Sequence, residues 1–96
     1  MFARVSRFEG RPENVDQSIQ RVRDQVLPAL RETEGGKGLI ALVDRESGNL
    51  LGVTLWESED AMQASEERAD QIRQESLVEG ERIAGVERYE VAVFEV

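Results

Sequence analysis

Leu50-Leu51-Gly52-Val53-Thr54-Leu55-Trp56-Glu57-Ser58-Glu59-Asp60-Ala61 is an apolar strand that runs into the chain's only tryptophan and then into an acidic helix start. Ser58 suits the N-cap, because its hydroxyl can accept from N–H groups that would otherwise go unpaired; Glu59 and Asp60 then favour the positive end of the helix dipole. Downstream, Ala61, Met62, Ser65, Ala69 and Ile72 share one face of a helix predicted to run to about Glu75. The small residues on that face imply close approach of helix to sheet. Leu77 to Gly85 either continues the helix after a break at Gly80 or passes over the surface. Val86 to Val96 reads as a strand, with Tyr89, Val91 and Val93 on one side and Ala92, Phe94 and Val96 on the other.

Upstream of Leu50, Asp44-Arg45-Glu46-Ser47-Gly48-Asn49 is rich in turn formers and joins a strand, Lys37 to Arg45, to the Leu50 to Glu57 strand as a hairpin. Its spacing falls short of a calcium loop, since the glycine comes one position early and no glutamate closes it. Leu39, Ala41 and Val43 lie on one face of the first hairpin strand and Ile40 and Leu42 on the other. Both faces are apolar where a half-solvated strand would alternate, so the sheet is expected to be covered on both sides. Before this strand, Val15, Ile19, Val22, Val26 and Leu30 recur at helical steps, and Leu27 widens the face. Gly10-Arg11-Pro12-Glu13 reads as the start of that helix, because proline there loses an N–H that has no intrahelical partner. Pro28 falls inside it and removes a hydrogen bond to Asp24, which predicts an interruption between Asp24 and Pro28. Gly35-Gly36 ends the helix; with Lys37-Gly38 it is a C-cap and linker, because it follows a helix instead of opening one. Phe2 to Phe8 alternates as a strand, with Phe2, Arg4, Ser6 and Phe8 on one side.

The order is β-α-β-β-α-β, which predicts one α+β domain over residues 1–96 with the ferredoxin-like plan: a four-stranded antiparallel sheet with two helices on one face. The uncovered apolar face calls for a homodimer packed sheet against sheet, a dimeric α/β barrel. A chain of 96 residues buries too little surface for a roomy internal cavity, so any sizeable pocket is expected to borrow walls from the partner. The formal net charge is −8, and between Glu57 and Glu81 nine carboxylates stand against Arg68 and Arg73. Such a surface repels nucleic acid, and its ordinary role is to keep a small protein dissolved. The longest apolar stretch, Leu39 to Val43, is strand-sized, so no membrane span is expected. With no cysteine and no signal-peptide run after Met1, a cytoplasmic protein is expected. The absence of histidine and cysteine removes the commonest general base, the commonest thiol nucleophile and the usual zinc ligands.

The long first helix with its late proline and terminal glycines, the Gly36 to Val43 strand, the Asp44 to Gly48 hairpin and the Trp-Glu-Ser-Glu stretch within Leu50 to Ala61 together resemble the antibiotic biosynthesis monooxygenase-like group of the dimeric α/β barrel superfamily. The resemblance covers Met1 to Ile72 and the last strand. It implies a homodimer with a cleft between helices and sheet in each protomer. The group includes cofactor-independent oxygenases of phenolic polyketides or quinols, haem-degrading enzymes, and proteins with no assigned reaction. In the haem-degrading branch the cleft tryptophan corresponds to Trp56 and a first-strand asparagine to Ser6. The helix-borne histidine that ligates iron has no counterpart, so haem degradation is not expected. In the phenol-oxidising members asparagine, tryptophan, tyrosine and arginine hold a deprotonated substrate near oxygen. Trp56 matches by position.

Strand parity adds Ser6 and Tyr89 as candidate catalytic groups beside Trp56, and Arg4, Gly52 and Thr54 as candidate substrate-binding positions. Trp56 is either an aromatic wall for a planar substrate, with Gly52 leaving room beside it, or a core anchor under the second helix. Arg4 on a central strand reaches solvent, pairs with a carboxylate or orients an anionic ligand, and pairing is the expected outcome. Tyr89 either stabilises charge on oxygen or holds its hydroxyl at the surface. Glu66 and Asp70 lie four residues apart on a helix but are too few for a hard-cation site, so no metal and no organic cofactor are expected. Two functions follow: a cofactor-independent oxygenase of small electron-rich aromatic compounds, or a non-catalytic ligand-binding or assembly homodimer of the same fold.

Overall fold

A computed structural model describes all 96 residues. Four strands form one antiparallel sheet in the order β2-β3-β1-β4, with β1 at Phe2–Glu9, β2 at Gly36–Asp44, β3 at Asn49–Trp56 and β4 at Arg82–Glu90. The helices are α1 (Val15–Arg21), α2 (Leu27–Glu32), α3 (Glu59–Ala64) and α4 (Glu66–Glu75). This is the ferredoxin-like arrangement, with β1 central between β3 and β4. Register places Phe2 opposite Trp56, Arg4 opposite Thr54 and Ser6 opposite Gly52, so these six side-chain positions share the face that the helices cover. Leu30, Trp56 and Met62 form the core there, with Phe2, Leu39 and Ala61 packed against them.

The hairpin closes through local chemistry. Asp44 Oδ1 accepts from the Glu46 N–H at 3.0 Å, and Gly48 adopts φ +85°, where a side chain is strained. A Cβ at Gly48 would also sit 2.5 Å from the Arg11 carbonyl carbon, so this turn seats directly on the entry to the first helix. That entry is a 3₁₀ turn, Pro12–Asn14, ahead of α1. Between α1 and α2 the chain makes a π-helical turn, Val22–Val26, in which the Leu27 N–H donates to the Val22 carbonyl. The expected interruption thus takes the form of one extra residue in the turn just before Pro28. The proline then falls in the first turn of α2, where a missing N–H costs little.

Two expectations are corrected. The predicted single helix from Ser58 to Glu75 is two helices that meet at Ser65, whose hydroxyl donates to the Met62 carbonyl at 2.8 Å instead of leaving that carbonyl to helix propagation. Ser58 is the N-cap as expected, accepting from the Ala61 N–H at 3.1 Å. The last strand begins at Arg82, inside the stretch that read ambiguously, and ends at Glu90. It stops because β1 supplies no partner beyond Phe2, which pairs with Glu90. After it only the Val91 N–H reaches back, to the Met1 carbonyl at 2.9 Å.

On the outer sheet face Ile40 is 41% and Leu42 50% exposed. No helix is long and apolar enough to cross a membrane.

Candidate functional site

A cavity lies between the helix-covered face of the sheet and the helices, within a single protomer. β1 contributes Arg4 and Ser6 to its floor, and β3 contributes Gly52, Thr54 and Trp56. Val22 and Val26 of the π turn, with Ala69, Ile72 and Arg73 of α4, form the opposite wall. Its volume is about 90 Å³ and its walls are mostly apolar. A single water needs roughly 10–15 Å³ by this measure, and pockets for drug-sized ligands begin near roughly 300 Å³. The space therefore suits a small ring. This small cavity forms within one protomer where Gly52 lacks a side chain, and a Cβ there would meet only the Phe8 ring edge at 3.8 Å.

Five of the six residues singled out in the sequence meet at this cavity: Arg4, Ser6, Gly52, Thr54 and Trp56. Tyr89 does not. It pairs with Ala3, one residue out of phase with Arg4, so it lies on the outer sheet face, where its hydroxyl donates to Glu87 Oε2 at 2.7 Å. Trp56 packs in the core with Leu30 and Met62 and also borders the cavity, so wall and anchor are one residue. Its indole N–H donates to Thr54 Oγ1 at 2.9 Å.

Arg4 is 2% exposed, and its Nε and Nη2 are both engaged. Nη2 donates to the Met62 carbonyl at 2.6 Å, to Ser65 Oγ at 2.9 Å and to Glu66 Oε1 at 2.8 Å. It also lies 5.2 Å from the Trp56 ring centroid, within range of a cation–π attraction. Pairing with a carboxylate is thus what Arg4 does, and in addition it shares the Met62 carbonyl, in the last turn of α3, with the Ser65 N–H and hydroxyl. Glu66 bridges Arg4 on β1 and Arg88 on β4. The Arg88 hydrogen bonds, against partial burial and with help from Arg4, hold the Glu66 carboxyl down to about 2.

Sequence reasoning missed Arg73. It is 9% exposed, lines the cavity, and its Nε is buried with no hydrogen-bond partner. The one carboxylate within ion-pair range is Asp70, 3.6 Å from Nη2 and largely exposed, with Glu66 farther off. Burial, with the charge of Arg4 nearby, pushes the Arg73 guanidinium below its ordinary value. The signal was present in the spacing, since Ser65, Ala69, Arg73 and Ser76 follow one another at helical steps on the inward face. Glu81, also in the lining, is held by the Ser18 hydroxyl at 3.0 Å and the Val78 N–H at 3.2 Å. No group of three or more acidic side chains is placed to hold a metal ion.

The fold is that of the antibiotic biosynthesis monooxygenase-like proteins. The chain superimposes on the haem degrader MhuD of Mycobacterium tuberculosis, solved with two haems in its active site, with a TM-score of 0.72 at 17% identity over all of both chains. It superimposes on the Streptomyces coelicolor monooxygenase of ActVA-Orf6, solved with nanaomycin D, with a TM-score of 0.67 at 16% identity over 99% of this chain and 92% of that one. A Nitrosomonas europaea protein assigned to the antibiotic biosynthesis monooxygenases gives a TM-score of 0.71 at 10% identity over 97% of this chain and all of the other. In sequence the chain is 40% identical over 93 residues to the uncharacterized protein Rv2558 of Mycobacterium tuberculosis H37Rv, and 36% identical over 92 residues to Rv2557 of the same strain. The match covers 97% and 96% of this chain, which spans about two-fifths of the length of these relatives, 39% and 41%. No family model matches the chain.

Proposed function

We propose that this chain forms a homodimer through its outer sheet face and that each protomer binds a small electron-rich aromatic compound, of quinol or polyketide type, in the cavity beside Trp56, where the compound reacts with oxygen without a cofactor. The observation that carries this is the mostly apolar cavity with an indole on its wall and guanidinium groups at its edge. Such a lining holds a flat ring, favours its ionised form and keeps water away. Ligands bound by two proteins of this fold, haem and nanaomycin D, are also planar.

Haem itself does not fit here. The chain has neither histidine nor cysteine to ligate iron, and about 90 Å³ is far below the size of the macrocycle. In the proposed reaction the substrate loses two hydrogens and gains one oxygen atom, while the second oxygen atom leaves with those hydrogens as water. The substrate supplies all four electrons that reduce dioxygen. Trp56, Thr54 and Gly52 would define the slot for the ring, Ser6 would offer a hydroxyl to its oxygen substituent, and Arg4 would lend positive charge from behind the indole. Tyr89 lies outside the cavity and takes no part.

Oxygen uptake by the purified protein with quinols and naphthols, beside a Trp56→Phe variant that preserves core packing, tests this reading. Uptake above the spontaneous rate that falls at least about tenfold in the variant, the size expected for loss of substrate positioning, supports it. No uptake with rings that demonstrably bind would move the assignment to the second reading, a ligand-binding or assembly homodimer. One observation favours that alternative: the Trp56 N–H and the Arg4 guanidinium are already spent on internal partners.

A further inference from the structure

Among the residues lining the cavity, the cations Arg4, Arg21, Arg68 and Arg73 face a single carboxylate, Glu81, in a chain whose net charge is −8. The wall of this cavity is therefore positive where the molecule as a whole is negative. The cations are not equivalent. Arg4 already donates to Met62, Ser65 and Glu66, and Glu81 is held by Ser18 and Val78. Arg21 reaches the Leu77 carbonyl at 3.5 Å and Arg68 reaches Gln71 at 3.3 Å. Arg73 alone combines burial with an Nε that nothing accepts from.

A buried guanidinium with an unused donor costs free energy unless an acceptor arrives. Asp70 does not fill that need, because its 3.6 Å approach is to Nη2, beyond hydrogen-bonding distance, and it sits in solvent. Guanidinium groups favour planar oxyanions, which take two parallel N–H donors at once. On these grounds we infer that the cavity is selective for aromatic acids, a single ring bearing a carboxylate, and that Arg73 is the residue that receives the anionic oxygens. This rests on the cavity being the ligand site proposed above and adds the charge of the ligand. The ring lies against Trp56 and Gly52, and the acid group lies toward α4.

The test is a titration followed by calorimetry, with Trp56 fluorescence as a second signal for benzoate and benzamide, a signal that comes from one site because the chain has one tryptophan. Benzoate and salicylate are compared with their neutral counterparts benzamide and salicyl alcohol in the wild-type protein, Arg73→Gln and Arg73→Lys. The wild type is expected to bind the acids at least about tenfold more tightly than the neutral rings, as a charge-assisted hydrogen bond allows. Arg73→Gln is expected to lose that preference and keep the neutral rings, which also shows that it folds, while Arg73→Lys retains part of the preference through its charge. Equal affinity for acids and neutral rings in the wild type, or a preference that survives in Arg73→Gln, overturns the inference and leaves the cavity as a ligand site. Loss of both sets of ligands in Arg73→Gln assigns Arg73 a structural role and also overturns it. If no ring of either kind binds the wild type, the cavity reading itself fails.

Discussion

Arg4 fastens α3 and α4 to the sheet. Its guanidinium reaches the Met62 carbonyl, the Ser65 hydroxyl and the Glu66 carboxylate from the middle of β1. Arg4→Met fills a similar volume but takes away the charged donor shared by the Met62 carbonyl and the Ser65 hydroxyl and leaves Glu66 with Arg88 alone. It should cost about 2–3 kcal/mol, and the melting temperature followed by circular dichroism should fall by roughly 10–20 °C for a domain of this size. Glu66 makes the same junction sensitive to acid. Its folded-state carboxyl titrates at about 2, below its ordinary 4.5, so it binds its proton later in the folded state than in the unfolded state. The stability it confers is complete above about 4.5 and is lost as the pH falls towards 2. Urea midpoints at pH 7, 4 and 2.5 should therefore decline more steeply in the wild type than in Glu66→Gln, and parallel profiles would count against the bridge. The expectation that Arg4 pairs with a carboxylate was legible because a buried charge on a central strand demands a partner, yet which carboxylate it was could not be read from positions sixty residues apart. Arg73 was hidden for a related reason. A helix read for its apolar face passes over a cation sitting on that face.

At the scale of elements, strands were the most legible because side-chain alternation is local. The hairpin came through within one residue at each boundary, with β2 at Gly36–Asp44 and β3 at Asn49–Trp56. The break at Ser65 and the early start of β4 were not legible, since the first depends on Arg4 competing for a carbonyl across the fold and the second on where β1 provides a partner. Gly52 shows how an element makes the cavity. Glycine in a strand interior weakens it by roughly 0.5–1 kcal/mol, and here the missing side chain leaves open space on the sheet floor. Gly52→Val should keep or raise the melting temperature while filling that space. Binding of aromatic ligands should then drop at least about tenfold, and unchanged affinity would place the ligand elsewhere.

For the whole molecule, the outer sheet face sets the expectation. Ile40 and Leu42 stand exposed on it along the β2 edge, and towards the β4 edge lies a polar cluster in which Arg7 donates to Glu87 at 2.6 Å and Tyr89 donates to the same carboxylate. A second copy packed on this face would bury the aliphatic strip and enclose the cluster. Light scattering should therefore give twice the 10.8 kDa mass of the chain, and Leu42→Glu should give the monomer with an unchanged circular dichroism spectrum. A monomeric wild type would remove the sheet-to-sheet dimer.

The π turn between α1 and α2 has a consequence for how this chain tolerates change in length. Removing one residue from an ordinary helix turns everything after it by about 100°, which in most folds tears the buried side from its seat. Here the turn at Val22–Val26 already carries one residue more than regular winding requires, with Leu27 bonded five residues back. Deletion of Gln25, an exposed position, would remove that surplus and leave Pro28 inside a regular helix, where its missing N–H and its ring cost about 3 kcal/mol. The shortened chain should therefore melt well below the wild type, and a Pro28→Ala change should give that stability back, which would identify the surplus residue as the joint that lets a proline live in mid-helix.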